Sequence, residues 1–367
     1  MNFNCEKSLL LNGINTVTKA LPQRTTVPVT EGILIIAQGT TITMICTDLS
    51  KTIQTQFNAE IYTTGQIVVP GKFFNEIVRK MPDGTVTVQG DFSSGVTLSC
   101  MGSKISISAL DDRDFPQLPA FNKSRTYKMP QGLLKQMINQ TIFATAPEGF
   151  LRQILTGCLF DIEENNINIV ALDTVRLAIR SAFIENTQEP MKAVIPSGTL
   201  NEVSKLLTDE DSPIEISFQT SNCLFDFGNT KVFTRLYEGE FLKYRAFIPT
   251  EMSLEITVNR AALLESIDRA WLMVRETNHN NYIMFQISEN KLVITSRSET
   301  GNVYEELPIT GGNKELQIAF NAKFFVDCLK NMDEEQIHLS FTTNRSPCVI
   351  TPVDNDKKLY LILPLKL

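Results

Sequence analysis

The chain has 367 residues, 43% apolar and 20% charged, with a formal net charge of −7. That composition excludes a disordered chain, and the length exceeds what one ordinary core serves, so two or three domains are expected. The longest apolar run, near "GILIIA" (32–37), is too short to span a bilayer, the start lacks the basic cluster of a secretory leader, and the cysteines stand singly. A reduced, cytoplasmic protein with no membrane partner is expected.

Along the chain, the apolar spacing of "KSLLLNGINTVTKAL" predicts a helix over 6–21, followed by a hairpin in "GILIIAQGTTITMICTDLS" (32–50). A second helix follows over 72–81, with Phe74, Ile77 and Val78 at i, i+3 and i+4, and then further alternating strands. After the polar stretch "AFNKSRTY" (120–127) the same order restarts. A helix is expected over 131–145, a hairpin over 157–175, a helix over 197–208, and strands. After "IPTEMS" (248–253) it restarts again, with helices over 259–275 and 322–331 around a hairpin at 282–300. The chain closes on "YLILPLKL" (360–367), where Tyr360, Ile362 and Pro364 alternate with Leu361, Leu363 and Leu365, predicting a strand to the last residues.

The order helix, hairpin, helix, strands thus recurs three times at a spacing of about 125 residues. That period means three copies of a domain and not a solenoid. The expected boundaries are 1–120, 126–248 and 253–367. Two amphipathic helices with many alternating strands pack most economically as helices on antiparallel sheets, an α+β arrangement.

Chemistry-bearing constellations are sparse. The two histidines, His279 and His338, stand in unrelated contexts and both read as surface residues. No zinc spacing and no nucleophile-elbow motif is present. "GQIVVPGKF" (65–73) approaches a phosphate-binding loop, but its glycines are wrongly spaced and Phe73 stands where a hydroxyl is needed. Asp48 and Asp173 end matched runs in two different copies, which suits turn capping better than metal ligation. No enzyme, cofactor or metal is expected.

Charge is unevenly placed. The six helical windows carry twelve basic and six acidic residues, +6, against twenty-two basic and thirty-five acidic elsewhere, −13. If equivalent helices face one way, an acidic protein acquires one basic surface suited to a phosphate backbone. Without a base-reading motif, any such contact is expected to be independent of sequence.

These features, with "RTTVP" (24–28), "TDLS" (47–50), "VVPGKFF" (68–74), "SALDDRDFPQLP" (108–119), "LTGCLF" (155–160), "LDTVRLA" (172–178), "EGEFLKYRAFIP" (238–249) and the closing "YLILPLKL", give a chain that resembles the bacterial sliding clamp, the beta subunit of DNA polymerase III, over its whole length. The resemblance implies a head-to-tail homodimeric ring of six similar domains, with helices lining a hole that holds double-stranded DNA. It implies a processivity factor that tethers the replicative polymerase, the clamp loader, repair polymerases and other proteins carrying a clamp-binding motif. The location implied is the cytoplasm, associated with the nucleoid. A divergent clamp-fold paralogue acting as an interaction scaffold is the alternative.

Carried over by position, the resemblance implies a hydrophobic client-peptide pocket of Leu155, Leu172, Thr174, Val175, Arg176, Leu177, Leu242, Phe247, Leu363, Pro364 and Leu365. The family's usual Thr-Asp-Gly-His-Arg run is replaced here by "LDTVR", a common proline by Leu242 and a frequent arginine by Ala246, so a more apolar pocket is expected. DNA-facing positions are Arg24 and, on the helices, Lys72, Arg79, Lys80, Lys135, Lys205, Arg269 and Lys323. The ring interface is expected to join the edge strand of Lys104, Ile105 and Ile107 to a partner edge near Glu305 and Glu306, with Leu272 and Met273 as its apolar contact.

Overall fold

The computed structural model describes residues 1–117, 121, 125–185, 189–274, 282–299, 301–355 and 357–366. Among them are six α-helices: α1 Lys7–Val17, α2 Gly71–Lys80, α3 Gln131–Asn139, α4 Ser197–Leu206, α5 Arg260–Val274 and α6 Ala322–Lys330. Five lie within windows predicted from the sequence, and α2 begins one residue ahead of its window. In the first and third windows, however, the α-helix stops early and a 3₁₀ turn follows, Thr18–Ala20 and Ile142–Ala144. Hydroxyl side chains explain the stop: Thr141 Oγ1 donates to the carbonyl of Met137 at 2.8 Å and Thr18 Oγ1 to that of Asn15 at 3.4 Å, competing with the helical ladder.

The helices bury the faces their periodicity demands. In α2, Phe74, Ile77 and Val78 are buried while Lys72, Phe73, Glu76, Arg79 and Lys80 are exposed. In α6, Phe325 packs against Phe285 and Phe320 with ring centroids 5.1 and 5.0 Å apart, and Asn321 caps the helix by accepting the Lys323 amide at 3.0 Å. Gly71 opens α2 where a Cβ would lie 2.7 Å from Leu21 Cδ1, so glycine permits that close approach.

Among the described residues the strands form four antiparallel sheets, and the chain divides into two compact units. The first unit, Met1–Gly132 with Lys205–Leu236, holds a five-stranded sheet in the order Glu60–Thr63, Asn2–Glu6, Thr85–Asp91, Gly95–Cys100, Ser103–Ile107. Its eight-stranded sheet runs Arg125–Pro130, Pro213–Phe218, Asn222–Asp226, Thr230–Arg235, Lys51–Asn58, Thr41–Thr47, Gly32–Gln38, Gly65–Pro70. The second unit, Leu133–Ser204 with Tyr237–Leu367, holds a nine-stranded sheet: Met191–Pro196, Gly157–Glu163, Asn166–Leu172, Arg176–Phe183, Lys358–Ile362, Cys348–Pro352, Gln336–Phe341, Leu254–Asn259, Thr310–Gly311. A four-stranded sheet completes it: Gly301–Pro308, Lys291–Ser298, Tyr282–Ser288, Leu316–Asn321.

Both large sheets run across a join of the sequence repeat. In the first unit Thr230–Arg235 of the second copy pairs with Lys51–Asn58 of the first, Thr230 opposite Thr55. In the second unit Lys358–Ile362 of the third copy pairs with Arg176–Phe183 of the second, Lys358 opposite Arg180.

The tail departs from expectation. The last strand ends at Ile362, and residues beyond it make single contacts: Leu363 N donates to Val175 O and Leu365 N to Ala319 O, each at 2.8 Å. Pro364 has no N–H, so the ladder cannot continue through it. His338 is also less exposed than expected: its side chain is 24% accessible and Nδ1 lies 3.0 Å from Thr257 Oγ1. His279 lies outside the described residues. All seven cysteines are buried and unbridged, and burial pushes the Cys5 and Cys158 thiols up to about 12. No helix among the described residues is long and apolar enough to cross a membrane.

Candidate functional site

The nine-stranded sheet of the second unit ends on one side in an apolar cavity of about 650 Å³. Its floor comes from adjacent strands: Leu172 at the end of one, Leu177 opposite it, and Leu361 opposite Leu177, with Leu363 just beyond. These side chains share a face because they sit at paired positions of an antiparallel ladder. The opposite face of the same strands carries Arg180, Lys358 and Tyr360, at alternate positions.

The walls are two irregular segments held to the sheet by specific bonds. Leu155 stands in the 3₁₀ turn Gln153–Thr156, anchored where Ala146 N donates to Leu155 O at 2.9 Å and Thr156 Oγ1 meets Tyr237 Oη at 3.1 Å. Leu242 precedes and Phe247 ends the 3₁₀ turn Tyr244–Phe247, whose Tyr244 Oη donates to the fully buried Asp161 Oδ2 at 2.7 Å. Burial, reinforced by that carboxylate, pushes the Tyr244 phenol well above its ordinary value. The turn therefore keeps its proton donor under all ordinary conditions, and Leu242 and Phe247 stay aimed at the cavity.

The polar edge is the turn "LDTVR". Asp173 Oδ1 accepts the amides of Val175 and Arg176 at 2.8 and 2.9 Å, while its Oδ2 accepts from Arg176 Nε at 2.9 Å. Asp48 makes the same turn in the first copy, accepting the amides of Ser50 and Lys51 and pairing with the Lys51 ammonium. Burial opposes ionisation of Asp48, but the bonds from Lys51 and Ser50 prevail and hold its carboxyl below the ordinary value. Both aspartates are turn caps, as their positions suggested.

Arg176 is fully engaged. Its Nη1 donates to Asp327 Oδ2 at 2.8 Å, its guanidinium carbon lies 4.8 Å from the Phe324 ring centroid, and its side chain is only 11% accessible. A ligand meets this residue as a rigid, neutralised wall and not as a mobile cation.

Nine expected positions are thus brought together around one cavity: Leu155, Leu172, Thr174, Val175, Arg176, Leu177, Leu242, Phe247 and Leu363. Pro364 and Leu365 do not line it, because the bond from Leu365 N to Ala319 O draws the tail away. Phe150, Leu151, Arg152, Asp173, Pro347 and Leu361 line it without having been foreseen. The run "GFLR" places two large apolar residues in a turn-rich loop, and Leu151 is wholly exposed there; that is a legible signal. Pro347 has none.

The basic residues expected to face DNA differ in state. Arg24, Lys72, Arg79 and Lys80 are exposed and make no ion pair among the described residues. Lys205 is exposed and Lys135 half-buried. Arg269, in contrast, is committed to Glu305 through bonds of 2.9 and 2.7 Å, and Lys323 to Asp327 at 2.7 Å. Of the residues expected at an interface, Lys104, Ile105 and Ile107 lie on Ser103–Ile107, the terminal strand of its sheet. Glu305 and Glu306 lie on Gly301–Pro308, the terminal strand of another. Ile107 is buried and Ile105 half-buried, while Leu272 is 53% exposed on α5 beside the half-buried Met273.

Among the described residues no cluster of three or more His, Cys, Asp or Glu is arranged to hold a metal ion. Comparison with known proteins is consistent along the whole chain. Three family models match in succession: the N-terminal domain of the DNA polymerase III beta subunit over residues 1–119, the central domain over 128–243 and the C-terminal domain over 245–366. The beta sliding clamp of Halalkalibacterium halodurans is 32% identical over 379 aligned positions, covering 100% of both chains. The crystal structure of the DNA polymerase sliding clamp from Bacillus subtilis superposes with a TM-score of 0.96 at 31% identity, covering 100% of this chain and 99% of that one. A Thermotoga maritima DNA polymerase III beta subunit superposes with a TM-score of 0.92 at 27% identity, with the same coverage.

Proposed function

The chain belongs to the DNA polymerase III beta subunit family, the bacterial sliding clamps, and from that premise we infer a protein that works by enclosure and tethering and not by catalysis. It is a DNA polymerase processivity factor built of three clamp domains. Two copies close head to tail into a ring around duplex DNA in the cytoplasm, at the nucleoid. The clamp-domain boundaries fall near 120 and 250. Exposed, unpaired cations such as Arg24, Lys72, Arg79 and Lys80 touch the phosphates loosely, which suits a ring that must slide.

The cavity is the docking site for clients. It accepts a short apolar peptide segment from the replicative polymerase, the clamp loader or a repair polymerase. The observation that carries this is the cavity itself: about 650 Å³, walled largely by leucines and phenylalanines, with Arg176 already neutralised by Asp173 and Asp327. Once tethered, a polymerase has a high local concentration at the primer end, so weak direct DNA affinity no longer limits synthesis.

Retention on circular DNA tests the reading. The protein is loaded by a matched clamp loader and ATP onto a nicked circle, and the bound fraction is followed through a sizing column before and after the circle is cut. Retention on the circle with loss on cutting is the expected result. Equal retention in both states means ordinary groove or backbone binding and overturns enclosure. No binding with a loader active on another clamp makes the chain a scaffold.

A further inference from the structure

The repeat allows the cavity of the second unit to be traced to its counterpart in the first. Leu172 and Leu177 close the turn "LDTVR" opposite one another, and Leu361 pairs with Leu177. In the first copy Thr47 and Thr52 close the turn capped by Asp48, and Phe233 pairs with Thr52. The backbone match continues past the strands. Arg235 N donates to Ser50 O at 3.0 Å, just as Leu363 N donates to Val175 O at 2.8 Å. Thr30 stands in the 3₁₀ turn that leads into Gly32, as Leu155 stands in the 3₁₀ turn that leads into Gly157. Thr30, Thr47, Thr52 and Phe233 therefore occupy the places of Leu155, Leu172, Leu177 and Leu361.

The hydroxyls that replace three leucines are already committed. Thr52 Oγ1 donates to Thr47 Oγ1 at 2.8 Å, and Thr47 Oγ1 donates to Lys51 O at 3.0 Å. Thr30 is fully buried, and its Oγ1 donates to Val27 O at 2.7 Å. With each of these protons spent inside the chain, an apolar occupant leaves no donor unpaired. One wall is apolar as well. Phe115 follows the bridge of Leu110 to Val68 and is buried in a cluster with Leu34 and Ile45. Leu242 holds the same offset from the bridge of Tyr237 to Val194.

This place has an occupant from the chain itself. The Phe121 ring meets Phe233 edge-on, with centroids 6.1 Å apart and planes inclined at 63°. Phe121 precedes Arg125, which opens its strand opposite Phe218. The equivalent strand start in the third copy is Leu254, opposite Phe341, and the residue at the same offset before it is the exposed Thr250. An aromatic ring is thus present at the junction that is filled, and a threonine stands at its position beside the cavity that is open.

We propose that the first junction is a second peptide seat, built like the client cavity, which the chain fills with its own Phe121. The ring acts as a plug. It keeps clients to one seat per chain, and once it is removed the aromatic side chain of an added peptide takes its place on Phe233. For the class of ligand the inference rests on the client reading above; the contact of Phe121 with Phe233 stands without it.

The chain's own sequence supplies the probe, a fluorescein-labelled synthetic peptide of residues 116–125, "PQLPAFNKSR". Its affinity is measured by anisotropy for full-length Leu363→Asp, in which the client cavity is disabled, and for Phe121→Ala/Leu363→Asp. The double variant is expected to bind roughly tenfold tighter, as burial of one aromatic ring allows. A peptide with alanine in place of its phenylalanine should lose that gain. Phe121→Leu/Leu363→Asp, which keeps an apolar plug, should bind no better than Leu363→Asp alone. Adding Phe233→Ala to the double variant should abolish the gain. Equal affinity for Leu363→Asp and the double variant overturns the plug. A gain that survives Phe233→Ala, or that the alanine peptide also shows, places the peptide elsewhere and overturns the seat. The client reading is tested apart from this, by a polymerase peptide on the unmodified chain, so it stands if the plug fails.

Discussion

Tyr244 Oη donates to Asp161 Oδ2 at 2.7 Å, the shortest of the side-chain bonds that tie the segment carrying Leu242 and Phe247 to a strand of the nine-stranded sheet. Arg245 reaches Glu163 on the same strand at 3.3 Å. Asp161 is fully buried, and the nearest cations stand farther off, Lys192 at 3.4 Å and Arg245 at 3.7 Å. Removing the hydroxyl leaves a buried carboxylate short of a donor. Tyr244→Phe is expected to cost about 1–3 kcal/mol, seen as a lower urea midpoint. It should also weaken peptide binding, since the wall loses its anchor. An unchanged midpoint would mean that Lys192 and Arg245 satisfy Asp161 unaided.

Alkaline pH should destabilise the fold. Burial raises the Cys5 and Cys158 thiols to about 12 from 9.0, and raises the phenols of Tyr244 and Tyr360 strongly. Above about pH 9 the unfolded chain sheds these protons while the folded chain keeps them, so the unfolded state binds fewer protons and the unfolding free energy falls as pH rises. The contribution is fully present below the unfolded values and drains away towards the folded ones. Urea midpoints at pH 7.5 and pH 10 check this; equal midpoints would contradict it.

Leu363 separates binding from folding. It lines the cavity yet is 38% exposed, so Leu363→Asp removes apolar contact and places a charge there without opening the core. A loss of about 1.5–3 kcal/mol in peptide affinity, roughly ten- to a hundredfold, is expected by fluorescence anisotropy. The thermal midpoint should move little. Unaltered affinity would place the peptide elsewhere.

Arg176 should behave in the opposite way. Its guanidinium joins Asp173 on the turn to Asp327 on α6 and covers Phe324. Arg176→Ala strands Asp173 Oδ2, leaves Asp327 with Lys323 alone and uncovers Phe324, and is expected to cost about 3 kcal/mol of stability. Arg176→Lys should recover only part of it, because a point charge cannot serve both carboxylates and the ring. Full recovery by lysine would show that charge alone matters.

The cations of the helices are not equivalent in salt. Lys72→Ala and Arg79→Ala remove exposed, unpaired charges and should each flatten the salt dependence of weak DNA binding. Arg269→Ala and Lys323→Ala remove charges already neutralised by Glu305 and Asp327, and should flatten it less. Equal effects from all four would mean that DNA breaks those internal pairs.

Periodicity alone carried the six helices, the three copies and the antiparallel strands. Helical and extended backbones repeat their faces at fixed short intervals, so a local run of apolar residues declares its element and its buried side. The capping roles of Asp48 and Asp173 were legible for the same reason, since an aspartate two and three residues before the amides it accepts is a local device. Most cavity residues followed from the resemblance and not from any local pattern. What only the tertiary structure decided lies across long separations. No local rule puts Leu361 beside Leu177 or Arg176 against Asp327, because sheet neighbours and ion pairs are chosen by how whole strands and helices pack. The state of each charge was decided there too. Arg269 and Lys80 read alike as exposed helix cations; only the arrival of Glu305 on a neighbouring strand distinguishes the one that is spoken for from the one that is free among the described residues.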